Sequence, residues 1–169
     1  FLTAKPLIVV VNIDEGQLSD PSWSVDGLSS VSFGSQVRAA ALCGKLEMEL
    51  GQMEPAEEQE FRESLELGES GLNRMIRLSH DVLGLVSFFT CNPNEVRAWT
   101  VTEGTPAVKA AGKIHSDLER GFIRAEVVGF DDLARCGSAA EARRQGLLRQ
   151  EGKSYVVSEG DVINILFNV

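Results

Sequence analysis

The apolar positions of the first 85 residues predict a mixture of strands and helices. Leu7 to Val11 is an unbroken apolar run, which is typical of a strand covered on both faces of a parallel sheet. Ala39 to Cys43 is a second, weaker run of this kind. One helix is predicted over Glu54 to Leu67, with Pro55 in its first turn, and another is capped by Ser70. The second helix carries an apolar stripe, interpreted as a packing face, of Leu72, Met75, Ile76, Val82 and Leu83.

From residue 86 the pattern changes to short strands separated by turns. The segments VSFFT and EVRAWTV flank CNPN and predict a β-hairpin. A helix is predicted from Ala107 to about Leu118. It is followed by a strand over FIRAEVVGF, a helical stretch over DDLARCGSAAEARRQG, and closing strands over SYVV and DVINILFNV. This order predicts an α+β roll of the β-grasp kind. We place the domain boundary near Leu85, with one domain over 1–85 and the other over 86–169.

Two features of the first half predict that its sheet has further strands elsewhere in a longer protein. Two buried strands cannot cover each other's faces, and residues 1–50 do not supply the neighbours that a parallel sheet needs. The sequence also begins at Phe1 rather than at Met. We therefore expect the C-terminal part of a longer α/β protein. The stretch SDPSWSVDGLSSVSFGSQ, residues 19–36, is rich in Ser, Gly and Asp and predicts an irregular connection.

Composition narrows the class of protein. With 43% hydrophobic and 24% charged residues, the chain resembles globular proteins rather than disordered ones. Neither a signal peptide nor an apolar stretch of roughly 20 residues is present, so we expect a cytoplasmic protein without membrane contact. The three cysteines share no C-x-x-C spacing, which disfavours a zinc site or a disulfide framework.

The net charge of −9 is unevenly distributed. Residues 1–85 carry 6 Lys and Arg against 14 Asp and Glu, whereas residues 86–169 carry 10 against 11. A negative chain repels nucleic acid if its charge is spread evenly. The nearly balanced second half therefore leaves room for a local basic face.

Polar side chains follow the first strand at the point where it ends. Asn12, Asp14 and Glu15 come after Val11, and ligands of open α/β sheets bind beyond the carboxyl ends of the strands. An Asn amide fits the N6/N7 edge of a purine as a bidentate partner. A strand-ending turn formed by Asn12 and Asp14 explains the same residues equally well.

Two other motifs fail on spacing. Gly146 to Ser154, GLLRQEGKS, has five residues between its glycines where a phosphate-binding P-loop has four, and a strand is predicted after it. His115, Asp117 and Glu119 lie at positions i, i+2 and i+4 of a predicted helix and do not converge on one point. The sequence therefore predicts no metal site and no catalytic residue.

Several segments together resemble the C-terminal part of the Obg-like ATPases, the YchF family of P-loop nucleotide hydrolases. They are LTAKPLIVVVNIDE, CGKLEMEL, FFTCNPNEVRAWTVTEGTPAVKAAGKIHSDLERGFIRAEV and EGKSYVVSEGDVINILFNV. The resemblance runs from Leu2 to Val169 with one poor stretch over 17–36. It implies an α/β remnant of a P-loop nucleotide-hydrolase domain over 1–85. Over 86–169 it implies a TGS domain, a ubiquitin-like β-grasp module associated with RNA and ribosome contact.

The resemblance also implies roles for the residues at the strand ends. GTPases of this class read guanine with an N-K-x-D motif, whose carboxylate accepts from the N–H donors of the base. Here the acidic position is Glu15, which implies a weaker preference for guanine and a protein that prefers ATP. Asn12 is implied to hold the purine edge, and Lys45 to lie along the rim. The implied nucleotide-binding residues are Asn12, Ile13, Glu15, Cys43 and Gly44, and the implied cofactor of the full-length protein is ATP or GTP with Mg²⁺.

The implied function is the binding and hydrolysis of ATP, and possibly of GTP, coupled to the ribosome and translation. Since the chain has no P-loop, we expect it to be inactive by itself. The alternative is a non-catalytic β-grasp module that binds RNA or the ribosome. A third class, a structural interaction domain, requires only an exposed apolar sheet face. The candidate RNA contacts, expected to gather on one face, are Arg97, Lys109, Lys113, Arg120 and Arg124.

Overall fold

The computed structural model describes residues 4–18, 37–92 and 95–168. The chain divides into two compact units between Leu83 and Gly84. The predicted irregular connection over 19–36 and the tip of the predicted hairpin turn, 93–94, lie outside the described residues. Within the described ranges, every helix is too short or too polar to cross a membrane.

Parallel pairing of two strands organises the first unit. Strand β1 (Leu7–Asn12) and strand β2 (Val37–Leu42) run in parallel, with Asn12 beside Leu42. Both strands were predicted from their apolar runs. The described helices of this unit are α1 (Glu15–Leu18), α2 (Gly44–Leu50), α3 (Pro55–Ser64) and α4 (Gly71–Val82).

The faces of β1 are only partly covered within the described residues. Leu7 and Val10 are 52% and 48% exposed, because β2 is the one described strand that pairs with β1. A small core at the ends of the two strands consists of Ile13, Ala41 and Cys43. The apolar run of β1 was expected to be buried on both faces. In the described residues, β2 and the helices of this unit leave part of β1 exposed.

The two predicted helices of this unit form, but the apolar stripe of α4 is more exposed than expected. Pro55 occupies the first turn of α3, and the Ser70 hydroxyl caps α4 by accepting from the Asn73 backbone N–H at 3.2 Å. The apolar stripe of α4 was interpreted as a packing face. Three of its members, Leu72, Ile76 and Leu83, are more than half exposed, so the packing interpretation is wrong for them in this structure.

A five-stranded mixed sheet forms the second unit. Its strands are β3 (Leu85–Asn92), β4 (Glu95–Thr102), β5 (Phe122–Gly129), β6 (Arg149–Glu151) and β7 (Asp161–Phe167), in the spatial order β4-β3-β7-β5-β6. The predicted hairpin of β3 and β4 is antiparallel and pairs along its whole length. The first and last strands, β3 and β7, are neighbours and run in parallel.

The helices of the second unit depart from the prediction in detail. The single helix expected up to about Leu118 breaks at His115, whose backbone is extended and whose ring accepts from the Asp117 N–H. A second predicted helical stretch is divided by Gly137, which adopts φ 73°. The four resulting helices are α5 (Ala107–Ile114), α6 (Ser116–Arg120), α7 (Phe130–Cys136) and α8 (Ala139–Arg144).

The predicted strand over SYVV is also wrong. Val156 makes one isolated bridge to Pro106, and the strand that pairs with β5 is β6, earlier in the chain. Tyr155 lies in the connection after β6 instead, where its hydroxyl donates to the buried Asp161 at 2.8 Å. Asp161 also accepts from the Ser158 N–H at 2.9 Å, so side-chain bonds add to the few backbone bonds that hold this connection.

Alanine and aliphatic side chains fill the core between this sheet and α5. Phe88, Val127 and Ile163 from three neighbouring strands are fully buried against small residues of α5 such as Ala110. Because small helix residues allow the helix backbone to lie close to the sheet, the core needs few large side chains. The second unit thus has a continuous core of its own.

Gly121, between α6 and β5, is the site of a close backbone approach. Its carbonyl accepts from the Asn168 N–H at 2.9 Å, and a Cβ at this position would lie 2.9 Å from the Asn168 carbonyl carbon. Gly121→Ala is therefore expected to lower the free energy of unfolding of the second unit by about 1–3 kcal/mol, because backbone rather than a flexible side chain must move. Urea unfolding followed through Trp99 fluorescence, in a Trp23→Phe background, measures the loss.

Gly152→Ala is the matched control. An added Cβ there meets nothing within 4 Å, and Gly152 does not have a positive φ. Its unfolding midpoint should stay close to that of the parent chain. A Gly121→Ala midpoint equal to that of the control would contradict the close approach.

Candidate functional site

The carboxyl ends of β1 and β2 form one corner of the first unit. Because the strands are parallel and Asn12 lies beside Leu42, the segments that follow the two strands leave the sheet at the same edge. The Ile13 N–H donates to the Leu42 carbonyl at 3.0 Å and extends the pairing by one step. Residues 12–15 at the end of β1 and residues 42–45 at the end of β2 lie side by side at this edge. We call these two segments the strand-end corner.

A hydrogen bond across the corner orients the Asn12 amide. The Gly44 N–H donates to Asn12 Oδ1 at 2.9 Å, and both residues are accessible to solvent. An amide nitrogen cannot accept from an N–H, so this bond fixes which end of the amide carries the oxygen. A Cβ on Gly44 would lie 3.1 Å from Asn12 Oδ1, which explains why the position suits glycine.

The side chains of Ile13 and Cys43 point away from the corner surface. Both are buried, at 8% and 4% exposure, and they pack together with Ala41. Val11 and Leu46 lie against this small cluster. These two predicted site residues therefore offer their backbone to the corner while their side chains anchor it.

An ion pair joins the far sides of the corner. Lys45 Nζ lies 3.2 Å from Glu15 Oε1 and 3.9 Å from a carboxylate oxygen of Glu49. The hydrogen bond to Glu15 raises the pKa of Lys45, and the negative charges of Glu15, Glu49 and Asp14 raise it further. Lys45 is consequently a cation at every physiological pH, and Glu15 faces it directly.

The Asp14 side chain belongs to a local turn. Its Oδ1 accepts from the Gly16 N–H at 3.2 Å, and its own N–H donates to Gln17 Oε1 at 2.9 Å. Asp14 thus forms the strand-ending turn that the sequence allowed. Asn12 is engaged differently, because its side chain accepts from the Gly44 N–H in the segment after β2 rather than from this turn.

Comparison with known proteins assigns the family. Residues 85–168 match the family model YchF-GTPase_C, described as a protein of unknown function (DUF933). The whole chain is 45% identical to the Ribosome-binding ATPase YchF of Bacillus subtilis (strain 168) and 39% identical to that of Escherichia coli O157:H7. It covers 47% and 46% of those proteins, so the chain spans about half the length of the curated relatives it matches. The chain belongs to the YchF family.

The resemblance to the YchF family extends to three dimensions. The structure of the Schizosaccharomyces pombe YchF GTPase matches with a TM-score of 0.81 and 30% identity, over 98% of this chain and 44% of that one. A GTP binding protein from Pyrococcus horikoshii OT3 matches with a TM-score of 0.59 over 97% of this chain and 46% of that one. At 18% identity, this second match concerns the fold alone.

The five basic residues proposed for RNA contact do not share one face. Arg97 lies on the helix-covered side of the sheet, with its guanidinium 5.7 Å from the centre of the Trp99 ring. Arg124 adjoins the buried Ala125 on β5, so its side chain leaves the opposite side of the sheet. The prediction that the five gather on one surface of this YchF-family unit is therefore wrong.

Acidic neighbours reduce the charge of three of these five residues. Arg97 pairs with Glu95 at 2.7 Å, Lys109 pairs with Glu119 at 2.6 Å, and Arg120 pairs with Asp117. Among the residues that the structure describes, Lys113 and Arg124 have no such partner. The basic character of the unit is thus weaker than the count of Lys and Arg suggests.

A largely buried ion pair behind the corner was not predicted. Arg62 on α3, whose side chain is 10% exposed, bonds both carboxylate oxygens of Glu47 on α2 at 2.6 and 3.2 Å and reaches Glu58 at 2.8 Å. Glu47 also accepts from the Gly71 N–H at the start of α4. The helix that carries Gly44 and Lys45 is thereby tied to the two helices that follow it.

Protonation of Glu47 would weaken this tie. Partial burial by itself would raise the pKa of Glu47, but the hydrogen bonds from Arg62 and Gly71 and the charge of Arg62 outweigh it and lower the pKa from its ordinary 4.5. A group with a lowered pKa contributes stability that is present above its ordinary value and is lost as the pH falls through the lowered one. The tie is therefore fully formed at neutral pH.

A cavity of the first unit lies beside this ion pair, away from the corner. It has a volume of about 650 Å³, and its lining includes Glu58, Glu63, Glu66 and Glu69 against the single cation Arg62. Such a negative lining repels a phosphate chain. The cavity is consequently unsuited to a nucleotide, and the corner remains the candidate site.

Removal of Arg62 tests the support behind the corner. Arg62→Met is expected to lower the free energy of unfolding by about 2–3 kcal/mol at pH 7, because it leaves Glu47 half-buried without its partner. Urea unfolding measures the change. Arg77→Met is the control, since the Arg77 pair with Glu69 is well exposed and should be worth less than about 1 kcal/mol. Equal losses of stability in both variants would refute the supporting role given to the Arg62–Glu47 pair.

Proposed function

We propose that the strand-end corner holds the purine base of ATP, as the base-recognition part of a nucleotide-hydrolysing protein of the YchF family. The observation that carries this proposal is the bond from the Gly44 N–H to Asn12 Oδ1 at 2.9 Å. It presents a fixed, solvent-facing amide at the carboxyl ends of parallel strands, where ligands of α/β sheets bind. The names of the relatives, which include an ATPase and a GTPase, support the nucleotide class.

The oriented amide has the hydrogen-bonding groups that adenine requires. Asn12 Oδ1 keeps a second lone pair beside the one used by Gly44, and that lone pair accepts from the adenine N6 amino group. Asn12 Nδ2 donates to N7 of the same edge. In this proposal Gly44, which the resemblance implied as a nucleotide-binding residue, acts by orienting the amide rather than by contacting the ring.

Binding of the phosphates and catalysis are assigned to residues outside this chain. The 169 residues contain no G-x-x-x-x-G-K-[ST] segment, and the described residues form no group of three or more acidic, His or Cys side chains fit to hold a metal ion. Phosphoryl transfer needs a phosphate cradle, Mg²⁺ and a positioned water. We infer that these lie in the part of the full-length relatives beyond the matched region, and that the protein works in the cytoplasm on the ribosome.

Asn12→Ala tests the base contact in a full-length YchF-family protein that carries this segment. A bidentate amide pair is worth about 1–3 kcal/mol, so ATP affinity should fall by about 5- to 150-fold. Calorimetry with ATP and Mg²⁺ measures the loss. Asn73→Ala, an exposed Asn on α4, is the matched control and should leave affinity unchanged. Unchanged affinity in Asn12→Ala would remove the corner from the proposal.

The second unit supports a second candidate function, that of a ribosome- or RNA-binding β-grasp module of the TGS type. Its first and last strands are parallel neighbours in a mixed sheet, and α5 packs across one face over a self-contained core. This arrangement is the one expected of a β-grasp roll. The bacterial relatives are named as ribosome-binding ATPases, which supports the ribosome as the partner.

Salt dependence distinguishes phosphate contacts from other modes of ribosome binding. Of the five candidates, only Lys113 and Arg124 lack an acidic partner among the described residues, so we expect at most about two phosphate contacts from this set. The slope of log affinity against log salt for this contribution is then shallow, about −1 to −2. Cosedimentation of the full-length protein with ribosomes between 50 and 200 mM KCl, with and without Lys113→Ala and Arg124→Ala, measures it. Identical salt slopes in the parent protein and in both variants would exclude Lys113 and Arg124 as phosphate contacts.

A further inference from the structure

We propose that Lys45 sets the purine specificity of the strand-end corner by holding the Glu15 carboxylate in an ion pair and so withholding it from guanine. This inference rests on the proposed function, because it concerns the base that the corner receives. It assigns a specificity-determining role to a side chain that contacts Glu15 rather than the base. It also accounts for why a carboxylate at the end of β1 need not favour guanine.

The geometry of the corner makes the pair a consequence of the sheet. Glu15 follows Asn12 by three positions and Lys45 follows Leu42 by three, and Asn12 and Leu42 are register partners. The two side chains thus start from equivalent places at the same edge and meet at 3.2 Å. The register of the two strands therefore brings the two side chains together.

The local charges keep Lys45 in place as a cation. Three carboxylates surround it: Glu15 at 3.2 Å, Glu49 one helical turn further on at 3.9 Å, and Asp14 at a longer distance. Asp14 is engaged by the Gly16 N–H, and Glu49 lies on α2 beyond Lys45. Glu15 is therefore the carboxylate that lies nearest to the ammonium group.

The two purines differ in what a carboxylate can offer them. Guanine carries N–H donors at N1 and N2, and a free carboxylate at that edge accepts from both. Adenine has no donor at those positions and gains nothing from the carboxylate. Guanine needs the Glu15 carboxylate turned toward its two N–H donors, and the bond from Lys45 to Glu15 Oε1 holds the carboxylate toward the ammonium group and lowers its charge, whereas adenine binding leaves the pair intact. The pair consequently disfavours guanine without any contact to adenine.

Lys45→Met tests the proposal in a full-length YchF-family protein that carries this segment, by competition binding of ATP and GTP with Mg²⁺. Methionine keeps most of the length and removes the charge. Since exposed ion pairs are weak, the ratio of GTP to ATP affinity should rise by only about two- to fivefold. Adding Glu15→Gln should remove the gain, because the neutral amide has a single acceptor oxygen. Lys45→Arg, which keeps the cation, should restore the original ratio.

The controls separate this inference from the proposed function. Lys5→Met, at the amino end of β1, removes an exposed lysine away from the corner and should leave the ratio unmoved. Higher ionic strength should raise the ratio in the parent protein and have less effect in Lys45→Met, because salt screens exposed pairs. An unmoved or lowered ratio in Lys45→Met, with ATP still bound, overturns the role of Lys45 alone. Failure of the parent protein to bind either nucleotide overturns the proposed function itself.

Discussion

The parallel pairing of β1 with β2 is the constraint on which the strand-end corner depends. Its register places Asn12 level with Leu42, and every contact of the corner follows from that alignment. Gly44 reaches Asn12, and Lys45 reaches Glu15, because each partner stands a fixed number of residues beyond the same edge. A slip of one residue would turn the strand's side chains to the opposite face and separate these partners. The geometry of the corner is thus a property of the sheet.

Contacts from the helices behind the corner hold its two segments in place. Helix α2 is anchored through Glu47 to Arg62, and the Arg74 guanidinium donates to the Ala41 carbonyl at 3.2 Å just before β2 ends. Both anchors lie away from the surface that a base would occupy. Groups that are already fixed lose little entropy when a ligand binds, so the modest energy of one amide pair is not consumed in ordering the protein.

The sequence predicted those features that depend on local pattern. The apolar runs of β1 and β2, the Ser70 cap and the hairpin of β3 and β4 each carry their signal within a few neighbouring residues. The break at His115 and the choice of β6 over SYVV were missed. In each case the outcome is decided by a backbone conformation or a strand partner that local propensity does not encode.

The candidate site divides in the same way. Asn12 and Glu15 were found from their position at the end of a strand, and Gly44 was found by resemblance. The pairing of Lys45 with Glu15 and that of Arg62 with Glu47 were not predicted, because these partners are 30 and 15 positions apart. Nothing in the spacing of such residues reveals that they meet until the strand register and the helix packing are known. The alternation of strand residues could have shown that Arg97 and Arg124 diverge, had the core-facing positions of β4 and β5 been assigned first.

The half-covered strand β1 has a consequence for the behaviour of the chain in solution. Within the described residues one edge of β1 presents backbone N–H and C=O groups without a partner strand, and Leu7 and Val10 lie open beside them. A flat apolar strand with an open edge is a template for strands of other molecules. The segment LIVVV carries no charged residue. Lys5 and Pro6, which are of the types that discourage strand pairing, flank its amino end only. We therefore expect this strand, rather than the net charge, to govern any self-association of the chain.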